Sequence, residues 1–377
     1  MSAGDPLLPA SRVHAWTVAV LCKAGLRDTD AVCVADNLVE AELRAVCSHG
    51  LMLLPMYLER IRAGGIRTGH AMRLLTEDGP ISVATEVPAT VPIMVLDADG
   101  APGQVALTQA CGYLDASARA KGIALINVVN NNHVGMLASY ARLLAEAGHI
   151  SIVMTTAGPS VYPYGGQDPV MGNNAICVGA PTGGAPWLFD MATGIVACGK
   201  IRHLQLIGAT MDAHWAEGPA RLPTNDPAVL DQGGGVLPHG YKGFGWACVV
   251  DILAGLLDGG GRVGMDVTRQ RLDAAQPTGC SQTMVAISTA RLRTPGFAGH
   301  VSDYLERLRA CQPQDPTQAV LAPGDIEASH FRLRSEHGLP LPVALVRKLT
   351  EIGAAHGCTF NADNAYDAYH AYAHKPA

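Results

Sequence analysis

Ala31, Val34, Ala35, Leu38, Ala41 and Ala45 recur at three- and four-residue intervals, so they share one face of a helix. Asp28, Thr29 and Asp30 stand just before them and offer N-capping side chains, so the spacing predicts a helix that starts there. A second helical stretch follows Gly50 and stops at Gly64-Gly65. From about residue 80 short β-prone runs alternate with helical ones. Residues 123–129 read as a buried strand, Met136, Leu137, Tyr140, Leu143, Leu144 and Ala147 as a helical stripe, and residues 150–155 as the next strand. Further strands are expected at 175–180, 187–191 and 283–288, and helices at 192–204, 243–257 and 341–356. This alternation predicts strands joined by crossover helices, hence an α/β sheet. Residues 312–324, rich in Pro, Gln and Asp, read as a connection. Residues 361–377 fit either a frayed extension or a local helix.

Composition narrows the class. Of 377 residues, 48% are hydrophobic and 16% charged, which allows a sizeable core and argues against global disorder. The net charge of -6 gives no basic surface for nucleic acid, and no apolar run is long enough to span a bilayer; Asp251 breaks the longest candidate, 246–257. The ten cysteines include no Cys-x-x-Cys pair, so a zinc ribbon or thioredoxin-type motif is not expected. Reduced thiols in a cytoplasmic protein are the simplest reading, and no His/Cys/acid cluster suggests a metal.

Gly259, Gly261 and Gly264 satisfy G-x-G-x-x-G, but they follow an expected helix rather than a strand, and no acid lies in 280–290. A dinucleotide fingerprint needs both, so these glycines are assigned to a loop. Ser48-His49-Gly50 sits at an element boundary, where a histidine can exchange protons near neutral pH; a surface or capping histidine is the commoner case for the tripeptide alone. Asn130-Asn131-Asn132-His133-Val134-Gly135 follows a strand and precedes a helix, a place where open α/β sheets bind ligands; turn chemistry accounts for it equally well. Asp190, directly after an apolar strand, is placed either to cap the following helix or to orient a catalytic histidine. Lys242 opens a helix and suits an anion such as a cofactor phosphate, or else is a solvated loop lysine.

Taken in order, these blocks resemble the malate/L-lactate dehydrogenase family of the non-Rossmann type. That family includes ureidoglycolate and sulfolactate dehydrogenases, diketogulonate reductase and Δ1-piperideine-2-carboxylate reductases. The matching residues are Ser48-His49-Gly50, Leu54-Pro55, Tyr57-Leu58-Glu59-Arg60, Asn132-His133 with Gly135, and Pro163-Tyr164-Gly165-Gly166. Phe189-Asp190-Met191-Ala192-Thr193, Gly199-Lys200-Ile201, Thr224-Asn225-Asp226-Pro227 and Tyr241-Lys242-Gly243-Phe244-Gly245 complete the set. The resemblance implies an α/β fold: a non-Rossmann NAD(P)-binding mixed sheet with a helical domain formed by both chain ends. The expected divisions are 1–78, 79–322 and 323–377, in an intertwined homodimer. It implies NADPH or NADH as cofactor and His49 as acid/base, or His133 as in some members, with Ser48 and Asp190 assisting. Asp190, Met191, Ala192, Lys242, Gly324 and Asp325 are the implied cofactor contacts.

Three departures stand out. Leu53 occupies the position where the family usually has an arginine able to grip the substrate carboxylate. Gly172-Asn173-Asn174-Ala175 replaces Gly-Thr-Asn-Pro, which puts Leu53, Asn173 and Asn174 on the substrate side. The region 258–280 is short for the family. The expectation is an enzyme that reduces a 2-oxo acid or a cyclic imine carboxylate, with altered specificity. The alternative is a catalytically silent dimeric homologue that serves as a binding or scaffold protein.

Overall fold

A computed structural model describes residues 6–76, 79–82, 91–257, 262–292 and 295–360. The first elements are β1 (Leu7–Leu8), α1 (Ala10–Lys23), α2 (Asp28–Leu43), two 3₁₀ turns at Cys47–His49 and Leu51–Leu53, and α3 (Leu54–Ala63). Next come β2 (Arg73–Thr76), β3 (Gly79–Ser82), β4 (Ile93–Asp97), α4 (Gly103–Lys121), β5 (Ile123–Asn131), α5 (Ala138–Glu146) and β6 (His149–Thr155). The middle of the chain gives β7 (Pro159–Val161), β8 (Met171–Gly172), β9 (Ala175–Ala180), β10 (Trp187–Ala192), α6 (Cys198–Ile207), β11 (Ala216–Glu217), β12 (Gly235–Val236) and α7 (Gly240–Val250). A π-helical turn, Asp251–Leu256, extends α7. Then follow β13 (Cys280–Ser288), α8 (Phe297–Arg309), α9 (Asp325–His337), β14 (Leu339–Pro340) and α10 (Val343–Ala355).

The main sheet has the order β10-β9-β6-β13-β5-β4-β2-β3. Only β4 and β5 are parallel neighbours; the other adjacent pairs are antiparallel. The expected crossover is present, since α5 joins β5 to β6, but β13 is inserted between those two strands and runs against both. The sheet is therefore mixed, as the resemblance implied. Sequence periodicity could not reveal this, because the pairing of β13 joins residues far apart in the chain.

α4 and α5 cover one face of the sheet. Their buried side chains, among them Leu107, Leu114, Tyr140 and Leu144, meet Leu96, Ile126, Val128, Val153 and Met284 from the strands. A second core draws on both chain ends: Val20, Leu38, Leu54 and Ile61 pack with Leu339, Leu345, Leu349 and Phe360. Pairing of Leu7 with Pro340 and Leu8 with Leu339 ties the ends together.

Several local expectations are corrected. α2 begins at Asp28, and Arg27 at its N-cap makes no side-chain cap. Asp30 instead accepts from Arg27 Nε at 2.8 Å and faces His70 Nε2 at 3.0 Å. Ala45 has φ 61° and lies beyond the helix. The helix expected from 192 starts at Cys198, because residues up to Ala192 remain in β10. Gly259, Gly261 and residues 361–377 lie outside the described residues; Gly264 falls in a 3₁₀ turn. Among the described residues, no helix is long and apolar enough to cross a membrane, and no His/Cys/Asp/Glu group is arranged for a metal ion. All ten cysteines are free thiols.

Candidate active site

A cavity of about 1400 Å³ opens between the β5–α5 junction, the 3₁₀ turns after α2, the strand β10, the start of α9 and residues 267–272. Each wall follows from local sequence. Asn131 and Asn132 end β5 and hold the chain for the turn into α5: Asn131 Nδ2 donates to Gln282 Oε1 at 2.7 Å, and Asn132 Nδ2 donates to the carbonyls of Gly100 and Ala101 at 2.9 and 3.0 Å. Asn130 donates to Asp97. These amides are spent on protein partners and do not line the cavity; of this motif's side chains beyond strand β5, His133 is the polar one that reaches it. Gly135 follows with φ 69°, and a Cβ there would collide with the Asn37 amide.

His49 and His133 meet at one end of the cavity, their rings nearly parallel (10°) with centroids 5.8 Å apart. Their hydrogen bonds differ. His133 Nδ1 accepts from the Gly135 backbone N–H at 3.2 Å, so that nitrogen carries no proton. The Tyr57 hydroxyl lies 2.7 Å from the same nitrogen, while Gln104 Nε2 donates to the Tyr57 oxygen at 3.0 Å. Burial pushes the Tyr57 phenol up, so it stays protonated and donates to His133. With Nδ1 fixed as acceptor, the neutral His133 ring keeps its proton on Nε2. Among the described residues His49 Nδ1 has only the Ser48 hydroxyl, 2.9 Å away, and a hydroxyl both donates and accepts. The His49 proton is therefore free to sit on either nitrogen.

Both rings are half-buried in the cleft and neutral at physiological pH. Loss of water pushes His49 down to about 4. His133 is pushed down to about 3, first by loss of water, then by the charges of His49, Arg271 and Arg60.

Asp190 lines the cavity on β10 but touches neither histidine. Its Oδ2 accepts from the Ala138 backbone N–H at 2.9 Å, so it serves the N-terminal end of α5, not the helix that follows it and not an imidazole. Asp190 is exposed along the cavity wall, yet desolvation within the cleft pushes its carboxyl up to about 6 against that backbone hydrogen bond. Met191, Ala192, Leu53, Asn173, Gly324 and Asp325 also line the cavity. Asn173 is nevertheless occupied: its amide donates to the Val196 carbonyl at 2.8 Å and accepts from Gly194 N–H at 2.9 Å. Asp325 receives Arg309 in a two-point pair at 2.8 and 2.7 Å.

Two expected site residues are elsewhere. Asn174 is fully buried and donates to the Ala247 carbonyl and to Asp251, which makes it a structural amide. Lys242 is exposed on α7, with Nζ 5.9 Å from the Tyr241 ring centre, and does not line this cavity. Conversely, Tyr57 and Gln104 had no assigned role. Tyr57 was within a matched block, so its phenol was available as a signal; Gln104 gave none.

A model of the malate/L-lactate dehydrogenase family matches residues 8–350. Malate dehydrogenase of Pyrococcus horikoshii is 31% identical over 353 residues, covering 92% of this chain and 94% of that protein. Ureidoglycolate dehydrogenase (NAD(+)) of Escherichia coli is 30% identical over 324 residues, covering 85% and 88%. The crystal structure of a dehydrogenase from Sinorhizobium meliloti superposes with a TM-score of 0.81 at 31% identity, covering 92% of this chain and 97% of that one. With the family model spanning nearly the whole chain, and the stacked histidines at the end of the cavity, the chain belongs to the malate/L-lactate dehydrogenase family and is an oxidoreductase that works with a nicotinamide cofactor.

Proposed function

We propose that this enzyme interconverts a 2-hydroxy acid and its 2-oxo acid, or a cyclic amine carboxylate and its imine, with His49 moving the proton. The observation that carries this reading is the asymmetry of the histidine pair: one ring is locked as a donor and the other is free to exchange. NADH or NADPH, when bound, gives or takes the hydride. The cavity fits such a group: it is large enough for a dinucleotide and a small acid together, and Arg332 stands at its α9 end. The Gly324 backbone packs so closely on the Leu188 carbonyl that a Cβ would collide, which holds the Pro323–Asp325 turn flush against β10.

His133 Nε2–H directs a hydrogen bond at the substrate oxygen or nitrogen. His49 delivers a proton to that atom in reduction and removes it in oxidation. Its neutral resting state suits the base role directly. In reduction, the carboxylate of the substrate adds negative charge to the cleft and favours protonation of His49. Wild-type enzyme with NADH and NADPH, supplied with pyruvate, oxaloacetate and Δ1-piperideine-2-carboxylate, should consume cofactor with at least one of them. Cofactor binding by fluorescence with no turnover of any would favour the silent homologue.

The same reading includes a homodimer. Trp246, Ile252, Leu256 and Leu257 on α7 and its π-helical extension are 46–56% exposed and form an apolar face that a second copy would cover. A chain sedimenting as a monomer at micromolar concentration would remove this part. The free thiols favour a reducing compartment.

A further inference from the structure

Leu53 leaves the cavity without the arginine that the family usually has there. It is buried, 5% exposed, and lines the cavity as an apolar wall. A carboxylate that leaves water still needs donors. Of the cavity's other arginines, three are committed: Arg44 donates to Glu40 at 2.9 Å, Arg202 to Asp231 at 2.8 Å, and Arg309 to Asp325; Arg269 and Arg332 also line it, without a side-chain hydrogen bond or ion pair among the described residues.

Arg271 likewise lines the cavity with no side-chain hydrogen bond or ion pair among the described residues, and of the three it belongs to the segment tied to the residue next to His133. Its charge acts on Asp231 and also on Tyr57 and His133, so it is shared between the Arg202–Asp231 pair and the histidine end of the cavity. The segment that carries it is anchored by Arg60. Arg60 donates to the backbone carbonyls of Gln270 at 3.1 Å, Asp273 at 2.9 Å and Gln276 at 2.7 Å. The same guanidinium donates to Asn132 Oδ1 at 3.1 Å, next to His133. One buried arginine thus sets the position of the Arg271 segment relative to the catalytic ring. Gly65 lets the segment approach: a Cβ there would collide with the carbonyls of Ala274 and Gln276.

We propose that Arg271 grips the substrate carboxylate in place of the arginine absent at Leu53, and that Leu53 turns the vacated side into a wall for an apolar substituent. This rests on the reading above that the substrate carries a carboxylate. It makes the preferred substrate a 2-oxo acid or imine carboxylate with an apolar substituent, in preference to a dicarboxylate.

Oxamate, an unreactive small carboxylate, tests the grip without requiring turnover. Its affinity for the enzyme–NADH complex is measured by calorimetry for wild type, Arg271→Ala and Arg271→Lys, alongside NADH affinity for each. The expected result is a Kd for oxamate raised about 10- to 150-fold in Arg271→Ala, as for loss of a charged hydrogen bond, with partial recovery in Arg271→Lys and unchanged NADH affinity. Unchanged oxamate affinity would overturn the proposal. So would equal loss of NADH and oxamate, which would mark Arg271 as structural, or a wild type that does not bind oxamate. A wild type that binds both yet turns over no 2-oxo acid would sink the catalytic reading and leave the carboxylate grip standing.

Discussion

The surroundings of His49 and His133 place two chemically identical rings in different states. His133 stands after β5, held by a backbone N–H, a phenol and, behind the phenol, the Gln104 amide. His49 stands on a single 3₁₀ turn with one hydroxyl. A fold that pins one imidazole through three elements and the other through a neighbouring serine separates orientation from proton exchange. The comparison teaches that the more elaborately bonded histidine is the weaker candidate for proton transfer, because each fixed partner removes a tautomer.

The sharpest way to break this comparison is to delete each ring. His49→Ala should lower kcat by roughly 10²–10⁴-fold with NADH affinity and thermal stability retained, as for loss of a general acid–base. His133→Ala should cost less; the reverse order in steady-state rates would transfer the proton role to His133. A pH profile sharpens it further. Above about pH 4 the His49 ring is neutral in the free enzyme. In reduction, kcat/KM should therefore fall about tenfold per pH unit across the neutral range, whereas in oxidation it should be flat there. A profile for reduction that is level between pH 6 and 8 would sink the assignment.

Tyr57→Phe is the next smaller change. It removes one donor to His133 Nδ1 but leaves the Gly135 N–H, so kcat should fall by about tenfold, on the scale of one hydrogen bond, with no change in the pH profile. A loss equal to that of His49→Ala would mean that the phenol itself exchanges the proton. The smallest expected effect is at Asp190. Its carboxyl is raised to about 6 in the fold, so between the ordinary carboxylate range and pH 6 the folded state holds more protons than the unfolded state, and stability falls as pH rises. Asp190→Asn keeps an acceptor for the Ala138 N–H and removes that penalty. Its Tm should exceed wild type at pH 7, with the gap closing toward pH 4; a gap that widens toward low pH would contradict the direction of the shift.

Much of this arrangement was legible in the chain, for reasons that differ by residue. β9 and β10 were readable because their apolar runs are bounded by turn residues and are too short for a helix. Ser48, His49 and His133 were readable as chemistry at element boundaries, and their family spacing joined them. The pairing of Tyr57 with His133 was not, because it closes across 76 residues and depends on how α3 meets the end of β5. Asp190 lines the cavity, but its carboxylate meets the Ala138 N–H at the start of α5, neither the following helix nor a histidine. A carboxylate after a strand points toward several helix ends, and only packing chooses among them. Arg271 left no signal: an arginine in a polar run looks solvated until Arg60 is seen holding the run in place.

The insertion of β13 between β5 and β6 also governs how the chain matures during synthesis. β5 and β6 are translated early, yet their common neighbour emerges more than a hundred residues later, and β1 waits still longer for β14. Such distant pairings delay closure of the sheet and carry a large loop-closure cost. A nascent chain halted before residue 280 lacks the strand that joins the two halves of the sheet, so it should remain protease-sensitive on the ribosome, and resistance should appear only after β14 has left the tunnel. Protection of chains halted at residue 270 would show instead that the early half folds by itself.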